Sequence, residues 1–183
     1  AMPSEYPDDG AAVLTTDPAN GTASPFGWHD TNGAVGAEST LTIGNNARAY
    51  LDLANDNTGT IPTDFPADGT ASLSFNFPFD LNQPPSGYRP GAVTNLFYWN
   101  NIIHDVFYQY GFDEAGGNFQ VNNYGHGGLG NDAVNAEAQD GGGANNANFS
   151  TPADGSAPRM QMYTWTPTTP GRDGDLESSI IVH

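Results

Sequence analysis

At 183 residues the chain can bury one sizeable core, or form part of a larger two-lobed domain. Twenty-one acidic residues face four arginines and no lysine, a formal charge of -17, so a row of phosphates could not be neutralised and nucleic-acid binding is excluded. The lack of cysteine excludes disulfides and thiolate chemistry, and no apolar run reaches the ~18 residues that a bilayer span needs.

An acidic surface of this kind stays hydrated and attracts cations, which suits an extracellular or salt-exposed setting. The 23 glycines and 14 prolines predict many turns and long ordered loops rather than a helical bundle. Any metal would have to be held by His, Asp, Glu or carbonyl oxygen. No charged-then-apolar leader opens the chain, and Ala1-Met2 reads as a trimmed beginning.

Residues 1–33 read as an extended, turn-rich lead-in punctuated by Pro3, Pro7, Pro18 and Pro25, with Phe26 and Trp28 expected to pin it. From Ser39 to Leu53, the alternation of Leu41, Ile43, Ala47, Ala49 and Leu51 with polar residues predicts a half-buried strand, or a strand pair broken at Gly44-Asn45-Asn46. Asn55-Asp56-Asn57-Thr58-Gly59 is an oxygen-rich turn of the kind that can hold calcium, although a metal-free Asx-turn is the favoured reading. A further strand is predicted at Ala71–Phe79.

The clearest helix is predicted from about Val93 to Tyr110, where Val93, Leu96, Phe97, Trp99, Ile103, Val106, Phe107 and Tyr110 form a broad apolar face at spacings of three and four. Pro90 and Thr94 suit its start, and Gly111 can take the left-handed conformation that closes it. Beyond it, glycine-rich loops alternate with short β segments expected at Asn118–Asn122 and Arg159–Trp165. Asp173–His183 reads as the opening of another helix, with Asp175, Glu177 and Ser178 near its N-terminus. Its apolar face lacks following turns, a poor domain end, so the remainder of a larger domain is expected elsewhere, in continuation or in a second chain.

The run Val93-Thr94-Asn95-Leu96-Phe97-Tyr98-Trp99-Asn100-Asn101-Ile102-Ile103-His104-Asp105 closely resembles the fungalysin family of secreted zinc metalloendopeptidases. Further stretches match that family in order: Asn118-Phe119-Gln120 with Gly127 to Asp132, Asn146-Ala147-Asn148-Phe149, and Met160 to Trp165. Arg172-Asp173-Gly174-Asp175-Leu176-Glu177, leading to Ile180-Ile181-Val182-His183, is similar to the family's approach to its HExxH zinc helix. The resemblance covers about residues 24–183.

It implies an α+β fold: a thermolysin-like N-terminal lobe over residues 34–183, β-rich, with one long buried helix and the start of the zinc-binding helix. In HExxH, two His at i and i+4 share one helical face and bind one zinc, while the Glu beside the first polarises water. His183 is the one implied zinc ligand here, and the base Glu, second His, later Glu ligand and oxyanion-stabilising His all have no counterpart in the chain. The chain alone is therefore expected to be inactive, with no catalytic residue of its own.

Asn146, Ala147 and Phe149 resemble the edge-strand segment on which such enzymes align a peptide substrate, pairing backbone to backbone while the Asn amide holds a substrate group. A propeptide and a hydrophobic preference on the primed side are further implications of the resemblance. No GxSxG elbow occurs, which together with the missing cysteine disfavours a covalent intermediate. His104 and Asp105, adjacent on a helix, are expected to point apart, with His104 a buried and satisfied residue. His29 and His126 read as loop residues. The competing reading is a β-rich extracellular module for glycans or calcium, with Trp28, Trp99 and Trp165 stacking on sugar rings beside acidic loops.

Overall fold

The computed structural model describes residues 14–60, 62 and 64–183. The expected lead-in therefore lies partly outside the described residues. From residue 14 onward it is turn-rich, and Trp28 is buried and donates from its indole nitrogen to Asp105 at 2.9 Å.

Four strands form one mixed sheet in the order β1, β2, β4, β3. β1 (Ala47–Leu51) and β2 (Val134–Ala138) are parallel neighbours, and β4 (Arg159–Met162) runs parallel to β2 on its other side. β3 (Ala147–Ser150) pairs antiparallel with β4 and forms the outer edge. A second, two-stranded sheet joins β5 (Thr164–Trp165) to β6 (Arg172–Asp173).

The helix α1 (Arg89–Tyr108) packs across β1 and β2. It buries Val93, Leu96 and Phe97 against Ala47, Ala49, Leu51, Ala136 and Ala138. Alanines on the strands keep the sheet surface shallow enough for the helix to lie close. Pro90 stands in the first turn, where a missing N–H costs nothing. Thr94 does not cap the helix; its hydroxyl donates back to the Pro90 carbonyl at 2.8 Å. At the other end Gly111 has φ +93°, and the N–H groups of Gly111 and Phe112 bond the carbonyls of Tyr108 and Phe107. This is the Schellman closure the glycine predicts.

Two predicted strands are not formed. In 71–79 the alternation does bury Phe75 and Phe77 in part, but Leu73 and the preceding Thr70 have positive φ, and among the described residues no neighbouring strand offers a ladder. In 118–122 the backbone is bonded to side chains instead: Gln120 N–H donates to Asp132 Oδ1 and Asn122 N–H to Asn45 Oδ1. Conversely, β2 carries no sequence expectation, since Val-Asn-Ala-Glu-Ala has too little apolar contrast to show a period of two, and Asp173, expected to open a helix, ends β6 instead, the α-helix beginning only at Ser178.

Candidate functional site

The path to His183 is built from buried carboxylates. Asp173, at the end of β6, accepts from Asp175 N–H and so caps a single 3-10 turn at Gly174–Leu176. Glu177 then caps α2 (Ser178–Val182) by accepting from Ser179 N–H. Asp175 is fully buried; its Oδ2 accepts from Gln139 N–H at 2.9 Å, fastening the root of α2 to the end of β2. Burial pushes the carboxyl of Asp175 well up, and the charge of Asp173 beside it pushes it further. Leu176 packs on Tyr88 and Ala92 of the α1 entry, and Ile181 enters the main core. His183 follows α2 at the surface, its ring free of hydrogen bonds among the described residues.

The other expected site lies on β3. Asn146 immediately precedes the strand, exposed, its amide making no hydrogen bond among the described residues. Ala147 and Phe149 share one face, opposite Met162 and Met160, and Ala147 packs into the core while Phe149 stays 44% exposed with its ring 6.3 Å from Phe119. Asn148, on the other face, donates to Tyr163 Oη and Gln161 Oε1 at 2.8 and 3.1 Å. The turn before it is braced by Asn145, whose Oδ1 accepts from Thr166 N–H at 2.7 Å. One apolar cluster takes in Ala147 of β3 together with Ile180 and Ile181 of α2, so both segments are anchored to the same core. No direct hydrogen bond joins Asn146, Ala147 or Phe149 to His183 among the described residues.

A catalytic zinc takes three protein ligands. Among the described residues, His183 belongs to no group of three or more His, Asp or Glu side chains close enough to share an ion. Among the described residues, His183 is thus an exposed imidazole without companion ligands.

His104 departs from expectation. Adjacent helical side chains diverge on an open surface, but here both are buried and His104 Nδ1 lies 3.0 Å from Asp105 Oδ1. Nε2 lies 2.9 Å from Gln120 Oε1, so the ring is buried and satisfied as the sequence reading holds. Its partners are structural, and a cleft of about 540 Å³ lined by Phe26, Tyr124 and His126 lies apart from both β3 and α2.

Sequence reasoning overlooks a cluster at the carboxyl ends of β1 and β2, where Asp52, Glu137 and Asp140 each bring an oxygen within 4.8 Å of the others. Asp52 accepts from the N–H groups of Asp56 and Asn57, both at 3.0 Å, and within the 55–59 turn Asp56 Oδ1 accepts from Thr58 N–H at 3.0 Å, an Asx-turn. Tyr50 donates to Glu137 Oε1 at 2.9 Å. Burial pushes the Glu137 carboxyl up to about 7, with the Tyr50 bond pulling down and Asp140 pushing up. The turn alone signalled this place; Glu137 sits in the strand the pattern hid.

A family model described as fungalysin metallopeptidase (M36) matches residues 1–183. The chain is 42% identical over 178 residues to an extracellular metalloproteinase MEP of Leptosphaeria maculans, and 47% identical over 174 residues to one of Pyricularia oryzae. It is 45% identical over 179 residues to a probable extracellular metalloproteinase 2 of Arthroderma benhamiae. These matches cover 94–97% of the chain but only 26–27% of each relative, so the chain spans about a quarter of the proteins it matches.

Proposed function

The chain belongs to the fungalysin metallopeptidase family, and from that premise we propose that it is the N-terminal lobe of the catalytic domain of a secreted zinc endopeptidase. On this reading His183 is one zinc ligand, and the other ligands and the general-base carboxylate are residues of the longer protein. Zinc in such a centre activates water as a nucleophile, with no covalent acyl-enzyme.

This chain's own work is to bind and orient. Among the described residues β3 has a hydrogen-bonded neighbour on one side only, and that observation carries the reading. An extended peptide can add to the open edge by backbone pairing, while the unengaged Asn146 amide bonds a substrate carbonyl or N–H and the exposed Phe149 ring offers apolar contact. Ala147 and Asn148 hold the strand flat on β4 behind it. Trp28, committed to the core, is not available for stacking on a sugar, which weighs against a glycan-binding module.

The test is made on the full-length protein with an internally quenched peptide. His183→Ala is expected to lose bound zinc and peptide hydrolysis together. Asn146→Ala is expected to keep its zinc and lower kcat/KM about tenfold, the worth of one hydrogen bond of about 1.4 kcal/mol. Retention of full activity and zinc by His183→Ala would sink the proposal.

A further inference from the structure

We propose that Asp52, Glu137 and Asp140 form a calcium site at the carboxyl ends of β1 and β2, separate from any zinc centre and closed over by the 55–59 turn.

Glu137 supplies the first reason. It is 0% exposed, and while Oε1 receives the Tyr50 hydroxyl, Oε2 has no hydrogen-bond partner. A carboxylate oxygen shut away from both water and donors carries a large penalty unless something positive meets it. Arg159 does not meet it by hydrogen bonding: Nε stands 3.8 Å away, and its other nitrogens donate to Asn57 Oδ1 at 2.5 Å and Gln161 Oε1 at 3.1 Å. Three buried carboxylates against one guanidinium leave an excess of negative charge.

The second reason is a cradle of oxygens. A Cβ built on Gly142 would stand 2.7 Å from Asn55 Oδ1 and 2.8 Å from Asp140 Oδ1, so a neutral amide oxygen from the turn lies beside the Asp140 carboxylate. Asp140 is held there by Gly142 N–H at 2.5 Å and Gln161 Nε2 at 2.7 Å, and Asp52 by the turn's own N–H groups. The side chains are thus oriented before any ion arrives.

The donor set names the ion. It is all oxygen and rich in carboxylate, which suits a hard divalent cation and not zinc. Calcium accepts six to eight oxygens in irregular geometry, carboxylate and amide oxygens together, whereas magnesium holds to a strict octahedron and keeps most of its waters. Asp56 and Asp64, which group with Asp52 on the turn side, add to the attraction for a cation from outside.

The experiment uses the full-length protein loaded with zinc, stripped of calcium over a chelating resin, and dialysed against calcium-45 with zinc kept in the buffer. Glu137→Gln and Asp140→Asn are each expected to bind one calcium fewer per chain than the wild type while retaining zinc. Terbium titrated into the wild type provides a measurement that does not depend on a variant's folding. Emission sensitised by tyrosine should rise with terbium and fall when calcium is added, and Tyr50→Phe should dim it. Equal calcium counts in the wild type and both carboxylate variants, or no calcium-sensitive terbium emission from the wild type, would overturn the proposal. Calcium uptake by His183→Ala stays at the wild-type level, so loss of peptidase function and loss of this site are read independently.

Discussion

Asp105 joins the lead-in to α1 through four donors: the Trp28 indole, the Ser24 hydroxyl, Asn20 N–H and His104 Nδ1. Burial opposes its charge, but those bonds outweigh burial and hold the carboxyl below the usual range. Its contribution is therefore complete above the unfolded value of about 3.9 and disappears as pH falls through the lower folded value. Asp105→Ala should cost about 3 kcal/mol near neutrality, the loss of several bonds to one charged acceptor. Urea denaturation of the full-length protein should show that deficit shrinking as pH falls below the unfolded value of about 3.9. The network was half legible. The sequence placed Trp28 as a pin and His104 as a satisfied residue, but the rule that neighbouring helical side chains diverge gave no hint that His104 and Asp105 would bond each other. That contact exists because the lead-in and the 118–120 loop close over both residues, and such closure is tertiary information.

Among the elements, α1 was the most legible because its apolar spacing, proline entry and glycine exit agree with one another. Gly111 carries a specific expectation. At φ +93° a side chain is strained, and nothing lies within 4 Å of where a Cβ would stand, so Gly111→Ala pays in backbone conformation alone, about 1–2 kcal/mol. A thermal-melt series in which Gly111→Ala matched the wild type would contradict the closure described. The strands were less legible, for two opposite physical reasons. β2 is alanine-rich because it lies beneath a closely packed helix, which removes the apolar contrast that reveals a strand. In 71–79 the contrast is present and Phe75 and Phe77 do turn inward, yet alternation reports which side chains face the core and cannot report whether another backbone stands alongside. For the same reason the sequence could propose Asn146, Ala147 and Phe149 as a substrate edge only through family likeness; it is the pairing order that makes β3 outermost.

At the scale of the whole molecule, a charge of -17 on a chain of this length sets up a field that reaches beyond the contact surface. Cationic peptides should be drawn to the lobe faster than neutral ones, and added salt should erase the advantage over a Debye length of ~10 Å at 0.1 M. Measured across an ionic-strength series, kcat/KM of the full-length enzyme should fall several-fold more for a lysine-flanked peptide than for its uncharged analogue. Parallel slopes would mean that this lobe's charge does not reach the substrate path.

The outermost strand has a last consequence. If β3 takes substrate as proposed, an edge that pairs with main-chain atoms cannot tell foreign protein from kin, since every polypeptide presents the same amides. Any stretch of a sister molecule that frays into an extended form is as eligible a guest as food from outside. On the proposed function, the buried acids and capped helices of the described residues limit such fraying, and the protein's lifetime in solution should track how rarely it unravels.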